Sequence, residues 1–226
     1  MNQENLQTDL SVKAEINLYY DLFVPENSAG NSPLLIAVHG YGAHKRHMMR
    51  EARAVAPADF AIASVQGPHQ HFRRTDTGIR PGFGWLTDYK SDESVGLHHK
   101  FLLDVIDKLS TDRLIDRSKI FLYGFSQSCA LNFRFAFTYP DIARGVIGVS
   151  GGIPGDFDTN PKYQPFNAET FYLYGDEDEF YPLEKFVEFE QALREFLPNF
   201  RSKRYSAEHV ITEEMRTDIR EFLSHL

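Results

Sequence analysis

Short apolar runs separated by stretches of helical period constrain this chain more than any other feature. Leu34–Val38 and Phe60–Val65 are apolar almost throughout rather than at alternate positions, the pattern of a strand covered on both faces. Lys119–Tyr123, Gly145–Ser150 and Glu169–Tyr174 read as further strands, and Ser202–Tyr205 as a short one. Candidate helices lie between them. One runs through Met48–Val55 and is stopped by Pro57. A second runs from Ser91 to about Ser110, with Leu97, Phe101, Leu102, Val105, Ile106 and Leu109 on one face. Gln127–Tyr139 is apolar nearly all round, Leu183–Leu197 is amphipathic, and Thr212–Leu226 closes the chain. This alternation predicts an α/β fold with a mainly parallel sheet, helices on both faces and a site at the carboxyl ends of the strands. Val12, Ala14, Ile16, Leu18, Tyr20 and Leu22 alternate with mostly polar neighbours, which predicts a half-exposed strand at an antiparallel edge.

No repeat or linker divides the 226 residues, so one domain over 1–226 is expected, with 1–9 as a flexible N-terminus. The chain carries 24 basic against 32 acidic residues and no evident basic patch, which disfavours a nucleic-acid partner. Its apolar runs are too short for a membrane span. Met1–Asp9 lacks the charged-then-apolar plan of a signal peptide, so a cytoplasmic location is expected. The single cysteine, Cys129, forbids an internal disulfide and is expected to pack in the core. Histidines pair at His44/His47, His69/His71 and His98/His99, but no third ligand converges on any pair, so no metal is expected. Gln66–Lys90 has no clear period and is expected to be an irregular loop lining the site.

The chemistry centres on Gly124-Phe125-Ser126-Gln127-Ser128, where a buried strand runs directly into a helix. This is close to the G-x-S-x-G elbow, a tight turn that lifts a serine hydroxyl above the sheet edge. Hydrolases of that order place an acid and then a histidine after later strands. The acid run Gly175-Asp176-Glu177-Asp178 follows Glu169–Tyr174, and local sequence leaves Asp176 and Asp178 about equal. His209 follows Ser202–Tyr205, before the last helix. His39-Gly40-Tyr41-Gly42 follows Leu34–Val38, where the second oxyanion donor of such enzymes lies. The main-chain amides of Tyr41 and Gln127 are the expected donors, with His39 in a structural role. Trp85 and Phe83, in a glycine-rich stretch, are the aromatics expected in the pocket.

These stretches resemble the phospholipase/carboxylesterase family of α/β-hydrolases, which includes bacterial carboxylesterases and acyl-protein thioesterases. The resemblance implies an α/β-hydrolase fold without a separate cap domain, and it favours Asp178, the second aspartate of a G-D-x-D segment, as the acid. It likens Trp85 to a tryptophan of the family's substrate loop. The chain departs from the pattern at Ser128 for glycine, Glu179 for proline, Leu86-Thr87 for Phe-Asp, and in a more basic stretch from His69 to Arg80.

The expected activity is cleavage of small-molecule carboxylic esters, thioesters included, with short to medium acyl chains, through Ser126, Asp178 and His209 and without a cofactor. A lactone hydrolase, a small peptidase or an idle ligand-binding relative is the alternative, since a scaffold does not fix a substrate. A homodimer is compatible with the sequence.

Overall fold

The computed structural model describes residues 6–26, 28 and 30–226. In chain order its elements are β1 (Tyr20–Phe23), β2 (Ser32–Val38), α1 (Lys45–Val55), β3 (Ala61–Val65), β4 (His69–Thr75), β5 (Gly78–Gly84) and α2 (Ser91–Thr111). Then follow β6 (Ile115–Phe125), α3 (Gln127–Thr138), β7 (Ala143–Val149), β8 (Glu169–Gly175), α4 (Leu183–Phe196), β9 (Phe200–Tyr205) and α5 (Glu213–Ser224).

The apolar run in β2 shows why two helical layers are needed. Its pleat sends Leu34, Ile36 and Val38 into one buried cluster and Leu35 and Ala37 into another. On one side, α1 and α5 contribute Met48, Ala52, Val55, Met215, Ile219 and Phe222. On the other, α2, α3 and α4 contribute among others Phe101, Leu102, Leu131, Phe133, Phe186 and Leu193. Between them runs a sheet of order β1-β3-β2-β6-β7-β8-β9. Every neighbouring pair in it is parallel except β1 with β3. This is the expected α/β-hydrolase fold, a mostly parallel sheet with an antiparallel edge. All the parallel strands point their carboxyl ends the same way, so the turns after β2, β6, β8 and β9 gather at one rim.

Two sequence expectations need correction. The predicted edge strand is shorter than its alternation suggests: only Tyr20–Phe23 pairs, against Ile62–Val65. Residues 6–19 form no regular structure, and Val12 and Ile16 are exposed. Alternation marks which side chains share a face, but a strand also needs a partner, and β3 ends at Val65. Of the expected flexible N-terminus, residues 1–5 lie outside the described residues. The second correction concerns Gln66–Lys90, which is a β-hairpin over most of its length. β4 and β5 pair antiparallel from His69↔Gly84 to Thr75↔Gly78 around Asp76-Thr77. Both strands are largely exposed and lack a continuous apolar stripe, so no period of two announces them.

Candidate active site

The junction of β6 and α3 consists of one residue, Ser126, and its backbone is forced by that tightness. Its φ is 58° with ψ −122°, a region that side chains other than glycine rarely occupy. Two contacts hold it there: Ser126 N donates to Val149 O at 2.9 Å, and Cys129 N donates to Ser126 O at 3.0 Å. Ser128, the departure from the elbow pattern, reinforces the turn. Its hydroxyl accepts from Phe125 N at 2.8 Å and lies 2.7 Å from Val38 O, which ties the elbow to the end of β2. Cys129 packs below as expected, and burial pushes its thiol up to about 12.

Three side chains from separate strand ends meet at Ser126. His209 Nε2 lies 2.8 Å from Ser126 Oγ, and His209 Nδ1 lies 2.7 Å from Asp178 Oδ2. The Asp178 side chain is wholly buried, and its other oxygen accepts from the amides of Phe180 and Tyr181 at 2.9 and 3.0 Å. Asp176 stays apart, 3.6 Å from Arg204 Nε. The geometry therefore separates two aspartates that local sequence left equal. Only glycine fits at 175, because a Cβ there would stand 2.0 Å from Ala207 O, and this closeness brings the His209 loop down onto β8. Glu179 adds a contact that sequence reasoning missed: its carboxylate accepts from His209 N at 3.0 Å.

The 39–43 loop lies against the elbow, with a Cβ at Gly40 placed 3.1 Å from Ser126 Cβ. His39 braces it from inside. Its Nε2 accepts from Gly67 N at 2.9 Å and its Nδ1 faces Gly40 O at 2.7 Å. Burial holds its pKa down to about 4, so the ring is neutral at physiological pH. Gly42 N is used by Phe83 O at 2.8 Å, and Phe83 N by Ala43 O at 3.2 Å. The amides of Tyr41 and Gln127 have no acceptor among the described residues. Gln127 instead uses its side chain, taking a hydrogen bond from Trp85 N at 2.9 Å.

Trp85 and Phe83 do not occupy the place expected of them. Trp85 is 1% exposed, joins the core, and donates from Nε1 to His39 O at 2.9 Å, so it supports the 39–43 loop from behind. Phe83 lies outside the cavity wall and acts through its backbone. The cavity over Ser126, about 900 Å³, is walled there by Leu86, Phe125, Ala130, Phe180 and Tyr181. It continues between α1 and α5, where Met48, Ile211, Glu51 and Arg216 line it. Phe180 and Tyr181 follow an acidic run that reads as solvated surface, which hid them. Of the paired histidines, His69 meets Ser94 Oγ at 2.9 Å, while His98 and His99 are buried beside Trp85 and Phe135.

A serine hydroxyl, an imidazole, a buried carboxylate and two amides with no acceptor among the described residues are parts with which acyl transfer can be done. The profile of the phospholipase/carboxylesterase family matches residues 21–226. The chain belongs to that family. Among solved structures, the Bacillus cereus carboxylesterase superposes on this family member with a TM-score of 0.71 at 16% identity, over 92% of this chain and 94% of that one. Acyl-protein thioesterase 2 of Zea mays superposes at 0.68 with 15% identity, over 92% and 98%. Both likenesses speak to the fold. NocK of Nocardia uniformis subsp. tsuyamanensis, named by inference as an esterase, is 27% identical over 130 residues, which is 54% of this chain. That match spans only 33% of NocK. No helix among the described residues is long and apolar enough to cross a membrane.

Proposed function

We propose that this family member is a serine hydrolase that cleaves small-molecule carboxylic esters, thioesters included, through an acyl-enzyme on Ser126. The observation that carries the reading is the unbroken chain from Ser126 Oγ through both ring nitrogens of His209 to buried Asp178, at 2.8 and 2.7 Å.

In this mechanism His209 Nε2 accepts the hydroxyl proton as Ser126 Oγ attacks the carbonyl carbon. The resulting imidazolium is stabilised by Asp178, whose two amide hydrogen bonds fix its orientation. The negative oxygen of the tetrahedral intermediate is received by the Tyr41 and Gln127 amides, and such donors are each worth about 10²–10³ in rate. Collapse expels the alcohol or thiol, which takes the proton from His209. Water, deprotonated by the same ring, then attacks the acyl-enzyme, and collapse releases the acid as Ser126 Oγ takes that proton back from His209. The strained backbone of Ser126 is consistent with this use, because strain of about 1–3 kcal/mol persists where surrounding structure enforces it.

The test is covalent. A fluorophosphonate probe should add one label, mapped by mass spectrometry to the peptide bearing Ser126, and Ser126→Ala should take none. Equal labelling of both proteins would move the nucleophile elsewhere.

A further inference from the structure

The hairpin holds two arginines that have no carboxylate partner among the described residues. Arg73 and Arg80 are directly opposed across β4 and β5, and like charges so placed repel. They share the hairpin face of His71, whose ring stacks on that of Tyr41 at 4.7 Å between centroids. Arg73 lies over the 39–43 loop, with its Cδ and Nη1 each 3.6 Å from where a Cβ on Gly42 would be. His47 lines the cavity, and Arg50 Nη2 is 3.1 Å from His47 Nδ1.

Among the described residues, none of Arg46, Arg50, Arg73 or Arg80 has a carboxylate within 4.0 Å. Half of the chain's 24 lysines and arginines lack one among the described residues, so what marks these two out is placement: Arg73 and Arg80 directly opposed, with Arg73 over the 39–43 loop. His71 Nε2, on the same face, is buried with no hydrogen-bond partner among the described residues. The positive charge of Arg73 is thus placed beside the proposed oxyanion donor Tyr41, with Arg80 opposite it on the hairpin. Tyr41 and His47 line the cavity, and the arginines stand outside that lining, next to it through the His71–Tyr41 stack and the Arg50–His47 contact.

We infer that Arg73 and Arg80, opposed on the hairpin face above Gly42, bind an anionic group carried by the ester substrate, a carboxylate or a phosphate. The substrate class is then esters of small acidic molecules. This rests on the esterase reading above. A guanidinium fork suits either anion, since both offer paired oxygens to parallel N–H donors. The stack of His71 on cavity-lining Tyr41 favours a substrate group over a docking partner.

The experiment compares matched esters at low ionic strength. Mono-4-nitrophenyl glutarate is set against 4-nitrophenyl valerate, which places the anion on the acyl side. 4-(Butyryloxy)benzoate and 4-(butyryloxy)phenyl phosphate are set against phenyl butyrate, which places a carboxylate or a phosphate on the leaving side. At least one anionic ester should exceed its neutral partner about tenfold in kcat/KM, mostly through KM. That ratio should shrink in 0.5 M salt, where charges are screened within about 4 Å. Arg73→Gln/Arg80→Gln should bring the ratio close to one, while Arg73→Lys/Arg80→Lys should keep much of it. A ratio near one in the unaltered protein, or one unmoved by the double Gln variant, overturns the inference.

Calorimetric binding of glutarate and glycerol phosphate to Ser126→Ala protein separates this inference from the esterase reading. Binding lost in the added Arg73→Gln/Arg80→Gln changes, in a protein that hydrolyses no ester, keeps the anion site and discards the esterase. Phe72 and Ile79 are exposed on the opposite hairpin face, so phosphatidylglycerol vesicles form the last arm. Sedimentation with those vesicles without binding of either small anion would make the hairpin a surface-docking element and overturn the proposal.

Discussion

The Glu179 carboxylate accepts the main-chain amide of His209 at 3.0 Å, while Asp178, one residue earlier, meets the ring of the same histidine at 2.7 Å. Two neighbouring acids thus hold one histidine by different handles, the loop by Glu179 and the imidazole by Asp178. Asp178→Asn should lower kcat by about three to four orders of magnitude, because an amide cannot stabilise the imidazolium and favours the wrong tautomer. Glu179→Gln retains an acceptor oxygen and should cost less than about tenfold. Asp176→Asn removes the charge of a half-buried side chain that faces Arg204 and not His209, so it can cost stability but should stay close to the unaltered rate. Steady-state kinetics on one ester ranks the three, and a larger loss at Asp176 than at Asp178 would reassign the acid.

Trp85 provides a second test, because its burial removes it from the cavity wall. Trp85→Phe keeps most of the packing but deletes the donor to His39 O, leaving a buried carbonyl without its partner. A stability loss of about 1–3 kcal/mol is expected from urea unfolding. The relative rates across acyl chain lengths should not change, since Leu86 and not Trp85 faces the substrate space. A shifted chain-length profile would return Trp85 to the pocket.

What the sequence made legible and what it hid divide along physical lines. The parallel strands were readable because each is written in a few contiguous apolar residues, and the residues proposed as serine, acid and histidine could be named because each follows such a strand. Between Asp176 and Asp178 the local residues did not decide and only the family resemblance favoured Asp178, since the choice depends on how closely Gly175 lets the 207–209 loop approach. Likeness to a family motif gave the position of Trp85 without the direction of its side chain, and the next residue, Leu86, took the wall. The 69–84 hairpin escaped because its strands bury too little to show a period. Ser128 looked like a flaw in the motif, yet its hydroxyl joins the elbow to β2.

Buried histidines should make the fold sensitive to acid. Burial lowers His39 and His99 to about 4 and His98 well below its usual value. In the unfolded chain the same groups titrate near about 6.5. Below that pH the unfolded state binds protons that the folded state refuses, so stability falls as pH drops from about 6.5 toward 4, and these groups add no slope above about 7. Each histidine held at 4 contributes a loss approaching about 3 kcal/mol at the acid end. Urea midpoints at pH 7.5, 6 and 5 should decline in that order. His99 packs edge-on against Phe135 and Tyr139, so His99→Phe should be accommodated and should flatten the decline. A decline of unchanged steepness in that variant would exclude His99 as a contributor.

The cavity's own lining sets an expectation for acyl length. Near Ser126 its wall is apolar, with Leu86, Ala130, Phe180 and Tyr181. Between α1 and α5 it meets Glu51 and Arg216, paired through two contacts of 2.8 and 3.2 Å. Each methylene laid on the apolar wall gains about 0.8 kcal/mol, or roughly fourfold in kcat/KM. A chain that reaches the ion pair covers charged groups without offering them a partner, and the gain ends. Rates for a 4-nitrophenyl ester series should therefore climb from acetate to about octanoate and then level or fall before palmitate. Removing one member of the pair would leave a half-buried charge, so the informative variant is Glu51→Leu/Arg216→Leu, which replaces both. Its maximum should move toward longer chains by about two to four carbons, since each added methylene again meets an apolar wall. An unaltered protein that is fastest on palmitate, or a double variant with the same maximum, would show that the ion pair does not limit the chain.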